Sequence, residues 1–500
     1  MRKIALGIFM CCFLLLIPYL LRDTGLFYVD DDYDYFAHSS SIAFGQFPSY
    51  KKEYFTIMKE GPQSSVGPGL MASPFVFLFS CLDRLAGSSI IDQRTAANIP
   101  TSWSQFGFVF GSNFYFSLGC LLLYCGIRRI CEERFAVLSV VLMILCQGLP
   151  LFAFRRPMFS HIYEFFLQSL FIFLFLKHER GEKQFIKKSW HYILLGTAGC
   201  LIYLVRYNNI IFALLWPFMF LFNGFLSLRT KDFWKKLFLT YSPFISMIFV
   251  FQIWPSMINH YTPYTWVTEF LLQNMSFQLF LSRLFYIFTG LDWGLIYTAP
   301  FVVLGFASLC SFSFPLKKKW ILISLPLLIN FLLIVFWGSQ AGWYGYRLFI
   351  ASAMPILALP LAVFLKELET KAKKTLGLFW AIIAGVPFLS MLLFESNPTT
   401  LNLAQIKTYT GNTDFTNNIF QFHVWQTVLF HPLETLANIY DKSGFLYLNH
   451  LFLTLGKFLG IWPNAFVTEY PVFRADIFIR LTMLYMLPFI LCSLIRKINK

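Results

Sequence analysis

Apolar runs of about 20 residues, each long enough to cross a hydrocarbon core as a helix, recur almost from end to end of this 500-residue chain. A backbone in lipid must satisfy its own N–H and C=O groups, so such runs become helices unless they close into a barrel. The candidate spans are roughly 4 to 21, 105 to 127, 133 to 151, 158 to 177, 192 to 207, 209 to 227, 235 to 254, 294 to 313, 319 to 337, 347 to 367, 374 to 394 and 476 to 494. With 57% hydrophobic, 20% aromatic and 13% charged residues, the composition excludes an ordinary soluble domain. The pattern predicts an all-α polytopic membrane protein of about twelve spans.

The formal charge of +15 would suit a nucleic-acid partner if the basic residues formed one patch, but they are spread over short connectors. These are "IRRICEER" (127 to 134), "KHERGEKQFIKK" (177 to 188), "RTKDFWKK" (229 to 236), "PLKKKW" (315 to 320), "KELETKAKK" (366 to 374) and "RKINK" (496 to 500). If the first span starts in the cytoplasm, as "MRK" suggests, all six fall on the cytoplasmic side, so no nucleic acid is needed. The N-terminus could pass for a signal peptide, but no small-x-small cleavage site follows, which favours an uncleaved helix. The ten cysteines lie mostly in apolar runs without paired spacing, and read as small core residues.

This topology gives a membrane domain over 1 to 394 with a first outer loop at 22 to 104, an outer-face region at 395 to 475, and a last span and tail at 476 to 500. Counting 69 to 87 as a span would send most basic connectors outside. It is therefore expected to be an interfacial or partly embedded helix on the outer face, broken by Pro74 and bounded by Asp83 and Arg84. The stretch 444 to 463 is expected to be a surface-lying or buried helix for the same reason.

Polar groups of both signs then collect on the outer face. "VDDDYDYF" crowds Asp30, Asp31, Asp32 and Asp34. One Asp would serve as a helix cap, whereas four repel one another unless a cation, a basic side chain or raised pKa values relieve them, as around a general base. "FRRPMFSHIYE" supplies Arg155 and Arg156, suited to gripping phosphate or to snorkelling. His161 and Glu164 are three apart on one helix face and could pair with each other. Arg206 interrupts nearly continuous apolar sequence in "LVRYNN", where a charge is costly and commonly functional. Tyr346 and Arg347 close "WGSQAGWYGYR", whose aromatic rings suit an interfacial belt or sugar stacking. No Walker loop, dinucleotide fingerprint or HExxH motif is present, so a membrane-dissolved activated donor is more plausible than a nucleotide.

In this order the segments "DDYDYFAHSSSIAFG", "VGPGLMASPFVFLF", "PMFSHIYEFFLQ", "LIYLVRYNNIIF", "GLDWGLIYTAPFVVL" and "WGSQAGWYGYRLF" resemble the GT-C superfamily of polyprenyl-phosphate-dependent glycosyltransferases. The likeness lies near the branch of protein O-mannosyltransferases and the lipid A aminoarabinose transferase, and covers roughly the first 360 residues. It implies a GT-C-like bundle with interfacial helices in the first outer loop, and an inverting transfer of a hexose or pentose from a lipid-phosphate donor to a glycan, lipid or protein hydroxyl. Aligning Tyr35 with the family's Tyr sets the family's catalytic base or metal-linked acidic residue at Asp31 with Asp32 beside it; Asp30 leaves a register one residue earlier open. Arg155, Arg156, His161, Arg206, Tyr346 and Arg347 are the substrate-binding candidates. A divalent cation, Mg²⁺ or Mn²⁺, held by Asp31 and Asp32 is compatible with clustered carboxylates. The competing readings are a flippase or transporter of lipid-linked sugars and a lipid-linked glycan polymerase or ligase. A bacterial inner membrane with an active site on its outer face is the expected location.

Overall fold

The computed structural model describes residues 30–50, 62, 64–87, 103–145, 149, 158–179, 189–221, 230–259, 280–289, 295, 299–311, 314, 316–337 and 347–371. The predicted spans at 4 to 21, 374 to 394 and 476 to 494, the region 395 to 475, and Arg155, Arg156 and Tyr346 lie outside them.

Among the described residues every regular element is helical. In chain order these are α1 (Asp30–Ala43), α2 (Val66–Leu85), α3 (Trp103–Ile127), α4 (Glu133–Leu145), α5 (His161–Glu179), α6 (Ser189–Val205), a 3₁₀ turn (Tyr207–Asn209) and α7 (Ile210–Leu221). After them come α8 (Lys231–Ile248), a π-helical segment (Phe249–Ile253), α9 (Trp254–Asn259), α10 (Phe280–Thr289), α11 (Pro300–Ser311), α12 (Lys317–Trp337) and α13 (Arg347–Lys371). Among the described residues four stretches are long and apolar enough to cross a membrane: Val66–Leu85, Trp103–Ile127, Lys231–Met257 and Lys317–Phe336.

Helix α2 corrects the expectation of a helix broken at Pro74, because it runs unbroken through that residue. Pro74 has no N–H for the Leu70 carbonyl, yet the Ser73 hydroxyl donates to that oxygen at 2.8 Å. Tyr115 donates to the next one, Met71, at 3.2 Å. Helix α2 is partly embedded in the bundle. It runs antiparallel along α3, with Phe75 against Phe110 and Phe79 against Phe106. The approach is close because α3 carries the small pair Gly107 and Gly111 one turn apart. A methyl group on Gly107 would lie 2.7 Å from the Phe75 carbonyl oxygen, and one on Gly111 2.7 Å from the Phe75 ring. Asp83, near the C-terminal end of α2, is buried. It caps α3, accepting from the backbone N–H of Trp103 at 2.9 Å and of Ser104 at 2.8 Å, and from the Ser104 hydroxyl. A carboxylate there also meets the positive end of the α3 dipole.

One proline inside another helix is compensated in the same way. Pro360 of α13 leaves the Ile356 carbonyl without its usual donor, and the buried Trp320 indole of α12 donates to it at 2.9 Å. This satisfies a backbone group that lipid could not.

Four of the basic connectors meet at one end of the bundle. Lys319 pairs with Glu179 at 2.5 Å and Lys366 with Glu132 at 3.4 Å, joining four of the six connectors named above. Lys236 lies over the Tyr192 ring near the start of α6, 5.6 Å from its centre. Along α5, Glu164 is 15 residues from Glu179, about 22 Å at the rise of an α-helix. Helix α1 and Arg206 therefore gather at the opposite end.

Candidate functional site

Two of the four early carboxylates have a definite structural task. Asp34 Oδ2 accepts the backbone N–H of Ser64 at 2.8 Å, and Asp31 Oδ1 accepts the Ser64 hydroxyl at 3.0 Å. They share a helix face three residues apart, and together they fasten the residues leading into α2 onto α1. Asp31 remains half-exposed, whereas Asp32 is 1% exposed. Asp30 opens α1, where a negative charge is favoured by the dipole.

Next along, "SSVGPG" wedges the start of α2 between α1 and the end of α6. The Ser65 hydroxyl donates to the Val205 carbonyl at 2.6 Å, one of the oxygens left without a partner where α6 stops. Only glycine fits at two positions here: a methyl on Gly67 would lie 2.3 Å from Val205 N, and one on Gly69 2.5 Å from His38 Cβ. His38 is itself buried and spans the same junction, with Nε2 3.0 Å from the Ser64 carbonyl and Nδ1 2.8 Å from the Tyr50 hydroxyl. Burial lowers its pKa to about 4, partly countered by the Ser64 carbonyl.

Helix α6 stops because Arg206 adopts extended backbone, φ −154° and ψ 118°, and the chain resumes through Tyr207–Asn209 into α7. That interruption turns the Arg206 side chain inward. Its Nη1 lies 2.8 Å from Glu164 Oε2 and 3.0 Å from His161 Nδ1. The second oxygen of Glu164 accepts from Asn209 Nδ2 at 2.8 Å and from the Ser352 hydroxyl of α13, which in turn receives Gln168 Nε2 at 2.9 Å. Glu164 is 0% exposed and Arg206 8%, so the ion pair is compensated by hydrogen bonds on the carboxylate.

Tyr35 joins the acidic helix to this network. It sits one turn after Asp31 and is buried, and Ser160, Ser65 and Arg206 lie close enough to act on its phenol. Burial and the charge of Asp31 push its phenol above the usual range, while Arg206 pulls the other way. Asp31, Tyr35, Ser160, His161, Glu164 and Arg206 thus belong to one cluster, although Asp31 and Arg206 are 175 positions apart in sequence.

Two expectations change on this geometry. His161 and Glu164 do not pair with each other but converge on Arg206. Arg206 is no open cation at a mouth, since Nη1 is held by two side chains of α5. Helix α5 begins at His161, four residues after Pro157. Arg347 opens α13, with its side chain outside the described atoms. As for a divalent cation, no three His, Cys, Asp or Glu side chains among the described residues are gathered to hold one; Asp31 and Asp34 each direct an oxygen to Ser64.

Ser64, Gln168 and Ser352 were not singled out from sequence, and Tyr35 served only to set the register of the acidic pair. A signal existed for Gln168, since His161, Glu164 and Gln168 recur at helical spacing on an otherwise apolar helix. For Ser352, in an ordinary apolar run, there was none. Compared with known protein families and with curated proteins, the chain matches none, so its chemistry rests on these residues.

Proposed function

We propose that this protein is a GT-C-like membrane glycosyltransferase that moves a sugar from a polyprenyl-phosphate donor to an acceptor hydroxyl on the extracytoplasmic face, for modification of an envelope glycan or lipid. The observation that carries the reading is the single cluster of Asp31, Tyr35 and the Arg206–Glu164–His161 group at the end of the bundle opposite the basic connectors. The topology it assumes has about twelve spans, with interfacial elements in the first outer loop, in a bacterial inner membrane.

In this reading the half-exposed Asp31 takes the proton of the acceptor hydroxyl. The acceptor oxygen attacks the anomeric carbon, the carbon–phosphate oxygen bond breaks, and the lipid phosphate leaves with the electron pair, inverting the centre. Arg155, Arg156 and Arg347 are the cations assigned to the departing phosphate, with Tyr346 beside the sugar. Arg206 supports the site from behind. Asp32, buried next to the base, adds negative potential on that side of α1.

A flippase of lipid-linked sugars would use polar groups through the whole bilayer. On α5 the buried polar residues reach Gln168 and Ser169, after which its buried residues are Phe171, Ile172, Phe175 and Leu176. On this helix the buried polar residues stop about halfway along, which supports a site at one end. A polymerase or ligase would rest on residues 395 to 475.

The test is Asp31→Asn in the full-length protein, with insertion and abundance checked, and mass spectrometry of lipids and envelope glycans with and without the gene. Loss of one sugar modification in both strains supports the transferase. Unchanged glycans in the Asp31→Asn strain would remove the base, and donor movement in liposomes without a new glycosidic bond would favour the flippase.

A further inference from the structure

We propose that Arg206 is a positioning residue that fixes the tautomer of His161, making it a hydrogen-bond donor through Nε2 and denying it the role of proton acceptor through Nδ1. A guanidinium carries only N–H donors, so the atom facing it must offer a lone pair. Arg206 Nη1 stands 3.0 Å from His161 Nδ1, and Nδ1 is therefore the unprotonated nitrogen, with the ring's proton on Nε2. A proton on Nδ1 would set two donors against each other at hydrogen-bond distance.

Three further features hold the arrangement. Nη1 also binds Glu164 Oε2 at 2.8 Å, and Glu164 is held from its other oxygen by Asn209 and Ser352, so the guanidinium cannot swing away without unpairing a buried carboxylate. The imidazole stacks on Phe159, ring centres 6.0 Å apart and planes 13° from parallel, which restrains rotation. His161 is also the first residue of α5, the helix that carries Glu164, so the two partners of Nη1 share one rigid element. The sequence prepared none of this, since Arg206 comes 45 positions after His161.

The tautomer follows from geometry alone; its consequence for catalysis rests on the transferase reading above. There, a histidine fixed in this way can donate to a phosphate or sugar oxygen but cannot compete with Asp31 for the acceptor's proton through Nδ1.

The experiment is nitrogen NMR of the full-length protein carrying ¹⁵N-labelled histidine in lipid nanodiscs at pH 7, with the His161 signals identified by their loss in His161→Asn. The expected spectrum shows one protonated ring nitrogen, Nε2. Arg206→Lys should keep it, because an ammonium also only donates, whereas Arg206→Met should give a mixture of tautomers. A proton on Nδ1 in the unsubstituted protein, or an unchanged spectrum in Arg206→Met, overturns the inference; should Arg206→Met not fold, the unsubstituted protein decides. Turnover with a polyprenyl-phosphate sugar is measured alongside, where His161→Asn is expected to lose roughly a hundredfold in kcat, as for removal of one donor to a developing charge. The Nε2–H spectrum without any transfer would sink the function and leave the tautomer. Transfer with a proton on Nδ1 would do the reverse.

Discussion

Replacing Glu164 by Gln changes almost no volume and should nevertheless be among the most damaging single substitutions in the described part of the bundle. The carboxylate accepts from Arg206, Asn209 and Ser352 with no exposure to water. Glutamine can keep its carbonyl oxygen toward Asn209 and Ser352, but its amide nitrogen then faces Arg206 Nη1, donor against donor. The guanidinium is left as an uncompensated buried charge, which costs about 3–5 kcal/mol when one partner of such a pair is removed. Arg206→Met should cost a similar amount by stranding the carboxylate. In the double variant neither charge remains, so its loss should fall short of the sum by about 2–3 kcal/mol, the coupling expected of residues sharing one network. Equilibrium unfolding of the full-length protein in mixed lipid–detergent micelles would measure this, with the buried indoles of Trp216 and Trp320 as fluorescent reporters. Strict additivity of the two single losses would refute the argument that Glu164 and Arg206 stabilise each other.

Other perturbations have equally definite outcomes. Gly67→Ala should lose about 3 kcal/mol, at the upper end of overpacking costs, because its methyl would meet the Val205 backbone at 2.3 Å. Gly126→Ala, which meets the flexible end of Leu176 at 3.2 Å, should lose about 1 kcal/mol or less; equal unfolding midpoints would contradict the wedge. Asp83→Ala should cost about 2 kcal/mol through loss of charged caps and speed amide exchange at Trp103 and Ser104, with Asp83→Asn between it and the parent. The His38 pKa of about 4 against an ordinary 6.5 means that the unfolded chain binds the proton more readily. Its contribution of about 3 kcal/mol is present above pH 6.5 and disappears as pH falls through 4. The stability difference between the parent and His38→Gln, followed from pH 7 to 3.5, should shrink over that window, and a constant difference would rule the linkage out.

How much was legible varied from residue to residue. The helices at 103, 133, 189, 231, 317 and 347 start within a few residues of where the apolar runs begin, since run length alone decides what can be buried in lipid. The gathering of four connectors at one end was also readable, because alternating basic loops leave little choice. Pro74 misled, since a proline breaks a helix only if the carbonyl it abandons finds no donor, and Ser73 and Tyr115 supply donors there. The small pair Gly107 and Gly111 was in plain view as a motif, but its partner Phe75 was not. Arg206 was recognisable as a costly charge; its partners were not.

Taken by itself, the order of residues determined that this chain builds apolar helices with basic connectors between them and a carboxylate-rich segment near one end. Those properties follow from local hydrophobicity and charge and need no knowledge of neighbours. Only the tertiary structure decided which carboxylates fasten Ser64, that Glu164 is the anchor for Arg206, and that Ser352 completes the network. Each of those bonds joins groups 30 to 188 positions apart. A hydrogen bond demands an approach within a few tenths of an ångström, which helix packing sets and sequence spacing cannot.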